Sequence, residues 1–298
     1  MKQPQRIAVS GASGFLGSAL VASLQQAGDE VLRLVRRQAG YGEIYWDPDA
    51  GRSDGAALGG LDAVVHLAGE NVAGFWTPAK KRRIMESRVR GTRLLAAALA
   101  DLKVPPRTLV SASAVGYYGS AGDAILTEDA PAGEDFLARV CIGWEDAVTP
   151  AAKAGIRTVS TRFGLLLDKR GGALRMMRPA FKLGLGARLG SGQQWMSWIS
   201  LADAVRVLRF ALDTERLSGA VNAVAPEPVR NEEFTQKLAR ALNRPAPFVA
   251  PRAPVQVLTG GMAEALLFAS QRAVPAKLTE RGFHFGQPTL ETTLRFGG

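Results

Sequence analysis

The stretch Gly11-Ala12-Ser13-Gly14-Phe15-Leu16-Gly17 follows the apolar run Ile7-Ala8-Val9 and opens a segment of helical pattern that continues through Ala27. A short buried strand, a glycine turn and a helix N-terminus together form a pocket for a phosphate, because glycine lets backbone N–H groups approach the oxygens and the helix dipole favours negative charge. The spacing is GxxGxxG, which alone is equally compatible with a glycine-rich turn between two elements. Further features of the chain favour the phosphate site.

The end of the next predicted strand, Glu30 to Arg37, is basic. About 20 residues past the glycines, where an NAD-binding protein usually places an acidic residue for the ribose hydroxyls, the chain has arginines. Arg36 and Arg37 suit a 2′-phosphate, so the sequence favours NADP over NAD. Without the glycine motif upstream, two solvated arginines closing a strand would be the better interpretation.

Strand and helix patterns alternate along the first half of the chain. Apolar strands are predicted at Glu43 to Trp46, at Asp62 to His66 and at Thr108 to Val115. Helices are predicted from Pro78 to about Ala100 and from Glu134 to Ala154, followed by a strand at Arg157 to Arg162. This alternation predicts an α/β fold with a doubly wound parallel sheet and a ligand at the carboxyl ends of the strands.

In the second half of the chain the regular alternation of strand and helix patterns gives way to more irregular segments. We expect residues 1–164 to form a dinucleotide-binding domain, and residues 165–298 partly to complete it and partly to form a smaller substrate-side lobe. In that half, Leu201 to Asp213 has helical periodicity, and Asn231 is predicted to cap a helix from Glu232 to Leu242. The proline-rich residues 245–254 predict an extended segment, and Val255 to Ala269 a last apolar helix.

Composition excludes several classes of protein. The chain has 298 residues, 47% of them hydrophobic, enough to bury a sizeable core, yet no run of the ~18 apolar residues that a membrane span needs. The first residues have no signal-peptide pattern, and the single Cys141 excludes an internal disulfide, so we expect a cytoplasmic protein. With only His66 and His284 as histidines, no metal site is predicted.

The formal net charge of +10 raises the question of nucleic acid. The densest run, Lys80 to Arg83, is followed by Arg88, Arg90 and Arg93 on one predicted helix, where these residues fall on several faces with no aromatic residue between them. A stacking platform for bases is therefore not indicated. We interpret the charge as a solvated helix face and as compensation for anionic small molecules, and expect no nucleic-acid or membrane partner.

Several motifs together resemble a known family. The order of GxxGxxG, a strand ending His66-Leu67-Ala68-Gly69, and a strand ending Ser111-Ala112-Ser113 before Tyr117-Tyr118-Gly119 resembles the extended or atypical short-chain dehydrogenases/reductases, which include nucleotide-sugar epimerases and dehydratases. Two longer patterns resemble the YfcH-like epimerase-family proteins, which end in a domain of unknown function: Ala68 to Asn71 with Ser87 to Thr92, and Leu183 to Gly186 with Gly190 to Ile199. The similarity extends from about Arg6 to about Leu294 and implies a Rossmann-type fold.

The resemblance implies roles for residues along the cofactor. It places Gly11, Ser13, Gly14, Phe15 and Leu16 around the pyrophosphate, Arg36 with Arg37 at the 2′-phosphate, and Leu67, Ala68 and Gly69 along the adenosine. Glu70 is expected at a ribose or nicotinamide, and Phe163 and Gly164 on the nicotinamide side. Arg88 could bind phosphate, or it could form a structural pair with Glu70. Tyr118, Gln193 and Trp195 are the predicted substrate contacts, although Trp195 could equally belong to the core of a lid.

The expected proton relay is missing. In typical members of the superfamily a serine polarises the substrate hydroxyl and the tyrosine of a Tyr-xxx-Lys pair transfers the proton, with the lysine lowering the tyrosine pKa. Ser113 matches the serine. When Glu145 is aligned with the glutamate that often follows the lysine, Leu137 and Cys141 occupy the tyrosine and lysine positions. Neither residue can transfer that proton.

Tyr117 is the candidate for a replacement acid, and Arg139 could lower its pKa if the guanidinium reached inward. The alternative is that Tyr117 and Tyr118 pack under the covering loop, each hydroxyl bonded to the backbone. Two functions stay open. The first is an NADP-dependent enzyme that transfers hydride reversibly on a nucleotide sugar or a related carbonyl or alcohol substrate. The second is a non-catalytic NADP(H)-binding redox sensor or partner-binding module. A homodimer is the habit of the family.

Overall fold

The computed structural model describes residues 3–297. Its strands are β1 Arg6–Ser10, β2 Glu30–Val35, β3 Glu43–Asp47, β4 Arg52–Ser53, β5 Ala63–His66, β6 Thr108–Ala114, β7 Ile125–Leu126, β8 Arg157–Phe163, β9 Leu165–Asp168, β10 Ala187–Leu189, β11 Trp195–Met196, β12 Trp198–Ser200, β13 Gly219–Ala223, β14 Val229–Arg230, β15 Phe248–Ala250 and β16 Arg272–Ala273. The α-helices are α1 Phe15–Gln26, α2 Pro78–Ala100, α3 Phe136–Asp146, α4 Thr149–Lys153, α5 Gly172–Lys182, α6 Leu201–Asp213, α7 Asn231–Ala241, α8 Arg252–Thr259, α9 Ala276–Glu280 and α10 Leu290–Gly297. Short 3₁₀ turns lie at Ala56–Leu58 and Val115–Tyr118, and a π turn at Glu264–Phe268.

The central sheet confirms the predicted doubly wound fold. Its eight strands have the order β13-β8-β6-β5-β1-β2-β3-β4. All neighbours from β13 to β3 are parallel, and β4 at the edge is antiparallel to β3. The chain leaves β1 in one direction towards β4 and then crosses to β5 on the other side, so a crevice opens at the carboxyl ends of β1 and β5.

Helices cover both faces of this sheet. On one face, α1 and α6 bury Leu20, Leu24 and Leu208 against the strands. On the other face, α2 buries Leu95 and Leu99 in a second cluster. Each fully buried leucine contributes roughly 1.5–3 kcal/mol of transfer free energy. The two cores hold the strand ends in fixed register beneath the crevice.

The second half of the chain contributes to two regions. Strand β13 lies beside β8 and completes the central sheet. A separate apolar cluster packs Phe181, Trp198, Phe234 and Leu290 together, apart from the two cores that cover the central sheet. No helix within residues 3–297 is long and apolar enough to cross a membrane.

The single helix predicted from Glu134 to Ala154 is wrong, because the structure has two helices there, α3 and α4. The break has a local cause at Pro150, which has no N–H to donate to the carbonyl of Asp146. The hydroxyl of Thr149 donates to that carbonyl instead, at 2.6 Å, and α4 begins there.

Asn231 does not cap α7 as predicted. It is the first helical residue, Arg230 precedes it, and its buried side chain accepts a hydrogen bond from the backbone N–H of Leu189 at 2.8 Å. The side chain therefore joins α7 to β10. A tertiary contact has replaced the local one that the sequence suggested.

The predictions for residues 245–269 are only partly correct. The proline-rich segment is extended over β15, which pairs with β10, but α8 already begins at Arg252. The single helix predicted from Val255 to Ala269 is wrong, since α8 ends at Thr259. Gly260 and Gly261 have φ values of +61° and +88°, a left-handed conformation that stops a helix, and the π turn follows.

Candidate functional site

The glycine turn joins β1 to α1 in the conformation that a bound phosphate requires. Gly11 has a φ of +65°, and a Cβ there would lie 2.9 Å from the backbone nitrogen of Ala68. A Cβ at Gly17 would lie 2.1 Å from the carbonyl oxygen of Gly11. Gly14 precedes α1 and no side chain caps the helix, so the N–H groups of its first turn are available to an anion.

Ser10 and His66 fix the neighbouring strand end. The hydroxyl of Ser10 accepts hydrogen bonds from the N–H groups of Leu67 and Ala68, at 3.1 and 3.2 Å, and lies 2.6 Å from Nδ1 of His66. Ser10 therefore donates its proton to Nδ1, which leaves the histidine proton on Nε2. Burial lowers the pKa of His66 to about 4, so this imidazole is neutral near pH 7.

A cleft of about 690 Å³, here called the cofactor cleft, runs over this turn. It brings together nine of the predicted cofactor residues, namely Gly11, Ser13, Gly14, Arg36, Arg37, Leu67, Ala68, Gly69 and Glu70. The sequence had placed these residues on three different strand ends. The parallel sheet aligns those ends, so the residues line one continuous groove.

The two predicted phosphate-binding arginines have different partners. Arg37 donates to both oxygens of Glu43, at 2.8 and 2.6 Å, and this interaction holds the pKa of Glu43 below its usual value. Arg36 lies 3.6 Å from Asp49, and both side chains are more than two-thirds exposed. An exposed pair at that distance is weak, so the guanidinium of Arg36 is the freer of the two at the mouth of the cleft.

A second cavity of about 380 Å³, here called the inner cavity, begins where the cofactor cleft ends. Gly11, Gly14 and Leu67 line both spaces, so they are continuous. The inner cavity also brings together the predicted residues Phe15, Leu16, Arg88, Ser113, Phe163, Gly164 and Trp195. Its remaining wall is mainly apolar, with Val72, Val140, Met196, Leu266 and Leu267 among its residues.

Ser113 is part of a buried polar network. Its hydroxyl donates to Oε1 of Glu145 at 2.6 Å. Both carboxylate oxygens of Glu145 accept from Arg162, at 2.8 Å each. The side chains of Arg162 and Glu145 are only 4% and 15% exposed. A bidentate pair with so little solvent fixes the carboxylate of Glu145 in position.

Leu137 and Cys141 lie one turn apart on α3, and both line the inner cavity. Cys141 is buried, and burial raises the pKa of its thiol to about 12. The thiol is therefore protonated near neutral pH and is not a nucleophile. On the alignment predicted from the sequence, these two residues would take the places of the standard tyrosine and lysine.

Tyr117 and Tyr118 lie away from the predicted positions. Neither lines the inner cavity. The ring of Tyr117 stacks 3.4 Å from the guanidinium of Arg162, and the hydroxyl of Tyr118 lies 2.7 Å from Oδ1 of Asn222 while accepting from Arg162 at 2.9 Å. Burial raises the pKa of Tyr118. The structure therefore does not bring Tyr117, the predicted acid, or Tyr118, the predicted substrate contact, to the inner cavity. Tyr118 fits the packing alternative, since its hydroxyl also lies 3.0 Å from the backbone carbonyl of Thr127.

Arg139 does not reach inward either. Its side chain is exposed and donates to the backbone carbonyl of Glu134. It therefore cannot lower the pKa of a phenol in the site.

Arg88 and Glu70 do not form the predicted side-chain pair. The carboxylate of Glu70 accepts from Lys80 at 2.6 Å, and this bond lowers its pKa. Arg88 donates instead to the backbone carbonyls of Glu70 and Ile84, at 2.9 and 3.3 Å, and its guanidinium lies 4.9 Å from the ring of Trp144. Burial lowers the pKa of Arg88. The arginine is held over Gly69, at the end of the inner cavity nearest the cofactor cleft.

The two predicted substrate contacts of the second half lie in different cavities. Trp195 lines the inner cavity, with its indole N–H bonded to Asp123 at 2.8 Å. Gln193 lines a separate space of about 310 Å³, here called the polar groove, where its amide donates to Glu232 at 3.1 Å. The groove also contains Arg230 and Arg252.

Comparison with known proteins identifies the family. Residues 7–223 match the family described as NAD dependent epimerase/dehydratase. The chain therefore belongs to the NAD dependent epimerase/dehydratase family. Residues 250–296 match a domain of unknown function, which agrees with the resemblance seen in the sequence. The chain thus has the NAD(P)-binding fold of the epimerase family.

Relatives of similar length come from distant organisms. The chain is 47% identical over 292 residues to an epimerase family protein of Mycobacterium tuberculosis, a match that covers 97% of this chain and 96% of that protein. The crystal structure of the human epimerase family protein SDR39U1 with NADPH is similar to this structure at a TM-score of 0.90, with 34% identity and 98% of each chain covered.

A third relative is longer. The crystal structure of a nucleoside-diphosphate sugar epimerase from Corynebacterium glutamicum has a TM-score of 0.83 and 36% identity. The similarity covers 99% of this chain but 59% of that protein.

Two important residues of this family member were not predicted as functional. Glu145 served only to align the helix, and Arg162 was only the last residue of a predicted strand. One signal was available for Arg162, since a charged residue at the end of a strand buried on both faces needs a partner of opposite charge. Glu145 of α3 is that partner, and the register of β6 and β8 places Ser113 beside Arg162, where its hydroxyl bonds to the same carboxylate.

Proposed function

We propose that this protein binds NADP(H) along the cofactor cleft and catalyses reversible hydride transfer between the nicotinamide and an alcohol or carbonyl substrate in the inner cavity. The observation that carries the proposal is that the cofactor cleft opens into a cavity where the hydroxyl of Ser113 donates to the side chain of Glu145. A phosphate-binding turn alone would fit many dinucleotide-binding proteins. A polarised serine at its far end fits one that acts on a hydroxyl.

The residues of the cleft fit NADP(H). The open N-terminus of α1 would bind the pyrophosphate, Arg36 the 2′-phosphate, and the backbone at Leu67 to Gly69 the adenosine side. Phe163 and Gly164 would border the nicotinamide, where the bound cofactor supplies the acceptor or donor of hydride. The human relative solved with NADPH supports this assignment.

Ser113 and Glu145 would replace the missing Tyr-xxx-Lys relay. When an alcohol is oxidised, the oxygen of Ser113 accepts the proton of the substrate hydroxyl, and the proton of Ser113 passes to Glu145. Arg162 donates to both oxygens of Glu145 and would hold the carboxylate in position for this transfer. In the direction of reduction the same protons move back to the carbonyl oxygen.

The substrate is proposed to be a small molecule, either a nucleotide sugar or another alcohol or carbonyl compound. The name of the Corynebacterium glutamicum relative supports the nucleotide sugar. We retain the homodimer as a proposal from the habit of the family.

The test follows the absorbance of NADPH during incubation of the purified protein with a panel of carbonyl compounds and nucleotide sugars. Ser113→Ala is expected to lower the turnover roughly 100-fold or more, because a positioned proton-transfer group typically accelerates a reaction by at least that factor. Tyr117→Phe is the control and leaves turnover unchanged, because this side chain does not line the inner cavity. Equal turnover by wild type and Ser113→Ala would refute the assignment of the serine.

A non-catalytic NADP(H) sensor is the second candidate. The observation in its favour is that Leu137 and Cys141 line the inner cavity, at the positions where the alignment places the tyrosine and lysine of the standard relay. Saturable binding of NADPH together with no consumption of it by any compound in the panel would support the sensor over the enzyme.

A further inference from the structure

The inner cavity is unusual for a site that holds a sugar. We propose that its substrate is a hydrophobic alcohol, an aliphatic or aromatic molecule that carries a single hydroxyl, rather than a nucleotide sugar. This proposal rests on the function proposed above and names the class of its substrate. It is argued from the wall, from the polar groups that the wall leaves free, and from the neighbouring groove.

The wall beyond the cofactor end is apolar. Val115, Leu137, Val140, Met196, Leu266 and Leu267 line it. Leu137 is only 7% exposed, and a Cβ added at Gly116 would lie 3.3 Å from the Cβ of Leu137. This side of the cavity is therefore closely packed. A surface of this kind stabilises a hydrocarbon by excluding water from it and offers nothing to a sugar hydroxyl.

Most polar side chains on the wall are already engaged. The hydroxyl of Ser197 donates to the carbonyl of Gln271 and accepts from the N–H of Ala273, both at 2.8 Å. The amide of Gln271 donates to the carbonyl of Gly119 at 3.0 Å, and the indole of Trp195 to Asp123 at 2.8 Å. A bound sugar would have to displace these bonds or leave several of its own hydroxyls unpaired. Each unpaired group has a cost.

Ser113 is the polar group that remains for the reacting part of the substrate, and it is available as an acceptor. Both oxygens of Glu145 accept from Arg162, so the hydroxyl of Ser113 is the donor in its 2.6 Å bond to Glu145. The lone pairs of the serine oxygen, which have the thiol of Cys141 beside them, are then the part of Ser113 that a substrate can use. They match a substrate that donates a proton, which is an alcohol rather than a carbonyl or an ether.

Arg88 does not alter this conclusion. Its guanidinium is 3.2 Å from the Cβ position of Gly69 and is bonded to the carbonyl of Glu70. The guanidinium also bonds to the carbonyl of Ile84 and lies 4.9 Å from the ring of Trp144, so part of its donor set is engaged. It stands at the end of the inner cavity nearest the cofactor cleft, where an anionic dinucleotide would be bound.

The polar groove is the obvious place for the nucleotide of a nucleotide sugar, but its arginines have partners. Arg230 is paired with Asp123 at 3.1 Å, and Arg252 forms a bidentate pair with Glu264. Among residues 3–297, the groove and the inner cavity have no lining residue in common. A diphosphate there would compete with Asp123 and Glu264 for these arginines, and the wall between the two spaces would separate it from Ser113.

The test measures binding to the full chain, with and without saturating NADP⁺, by ligand-observed NMR. The probes are cyclohexanol, its methyl ether methoxycyclohexane, and UDP-glucose. Cyclohexanol is expected to bind saturably and about fivefold more tightly than the ether, which is the affinity ratio that one hydrogen bond typically provides. Ser113→Ala is expected to remove this preference. Ser191→Ala, a matched serine in the polar groove, is expected to keep it.

Each outcome decides the proposal. Tighter binding of UDP-glucose than of cyclohexanol, no saturable binding of cyclohexanol, or equal affinity for alcohol and ether would overturn it. A parallel calorimetric titration with NADPH separates the two proposals: its failure would refute the cofactor assignment, while the alcohol titrations on the free chain would still decide the substrate class.

Discussion

The buried pair of Glu145 and Arg162 gives a prediction that can be worked out from the structure. Arg162→Met removes a guanidinium that is 4% exposed and leaves Glu145, at 15% exposure, without its two 2.8 Å bonds. Removing one partner of a buried ion pair typically costs 3–5 kcal/mol, because the other charge stays in a region that solvates it poorly, so we expect a loss of about that size. The variant also loses the bond to the Tyr118 hydroxyl, which acts in the same direction.

The neighbouring residue on α3 provides the control. Asp146 pairs with Arg93 at 2.7 Å, but these side chains are 64% and 55% exposed. Arg93→Met should therefore lower the free energy of unfolding by at most about 1 kcal/mol. Urea denaturation followed by tryptophan fluorescence measures both variants.

A double variant shows whether the two charges are coupled. Arg162→Met with Glu145→Gln should lose about 1–3 kcal/mol less stability than the sum of the single variants, because no charge is then left without its partner. If Arg162→Met costs no more than Arg93→Met, or if the two single losses simply add, the network around Ser113 is not held together by this pair and the reasoning fails.

Three further predictions concern other parts of the molecule. Arg36→Glu should lower the ratio of NADP to NAD affinity roughly tenfold or more, since a charge-assisted hydrogen bond is lost; an unchanged ratio in calorimetry would refute the role of Arg36. Folded His66 has a pKa of about 4 against 6.5 when unfolded, so the unfolded state binds more protons between these values. Stability should fall by roughly 3 kcal/mol as the pH drops through that window, and His66→Asn should remove this slope in urea titrations. Cys141 should resist iodoacetamide at pH 8 and react only after unfolding, because burial raises its pKa to about 12; modification of the native protein would contradict the buried position.

The sheet and the cofactor cleft were predictable because their signals are local. Apolar runs such as Ile7 to Val9 and the glycines after them specify a strand, a turn and a helix within about 20 residues, and the parallel topology then gathers the strand ends. The helix from Pro78 to Ala100 was predicted with its observed bounds, since Pro78 is favourable in a first turn.

Long-range contacts account for what was missed. Asn231 has the chemistry of a cap, yet Leu189, far away in sequence, uses its side chain. Tyr117 stands close to Ser113 in sequence, but the 3₁₀ turn at Val115–Tyr118 directs its ring onto Arg162 instead of into the cavity. Local helix and turn propensities predict neither contact, because each one joins elements that are distant in sequence and brought together only by the fold.

The replacement of the standard relay and the apolar character of the cavity are two consequences of the same change. Leu137, Cys141 and Glu145 are spaced by four residues on α3, so they lie along one stripe of that helix. A tyrosine and a lysine at the first two positions would supply both a proton relay and two polar contacts for a sugar. In this chain those two positions are apolar or uncharged, and the charge is one turn further along, on Glu145, where Arg162 compensates it and Ser113 connects it to the cavity. The same helix stripe therefore accounts for how protons would move and for which substrates would fit.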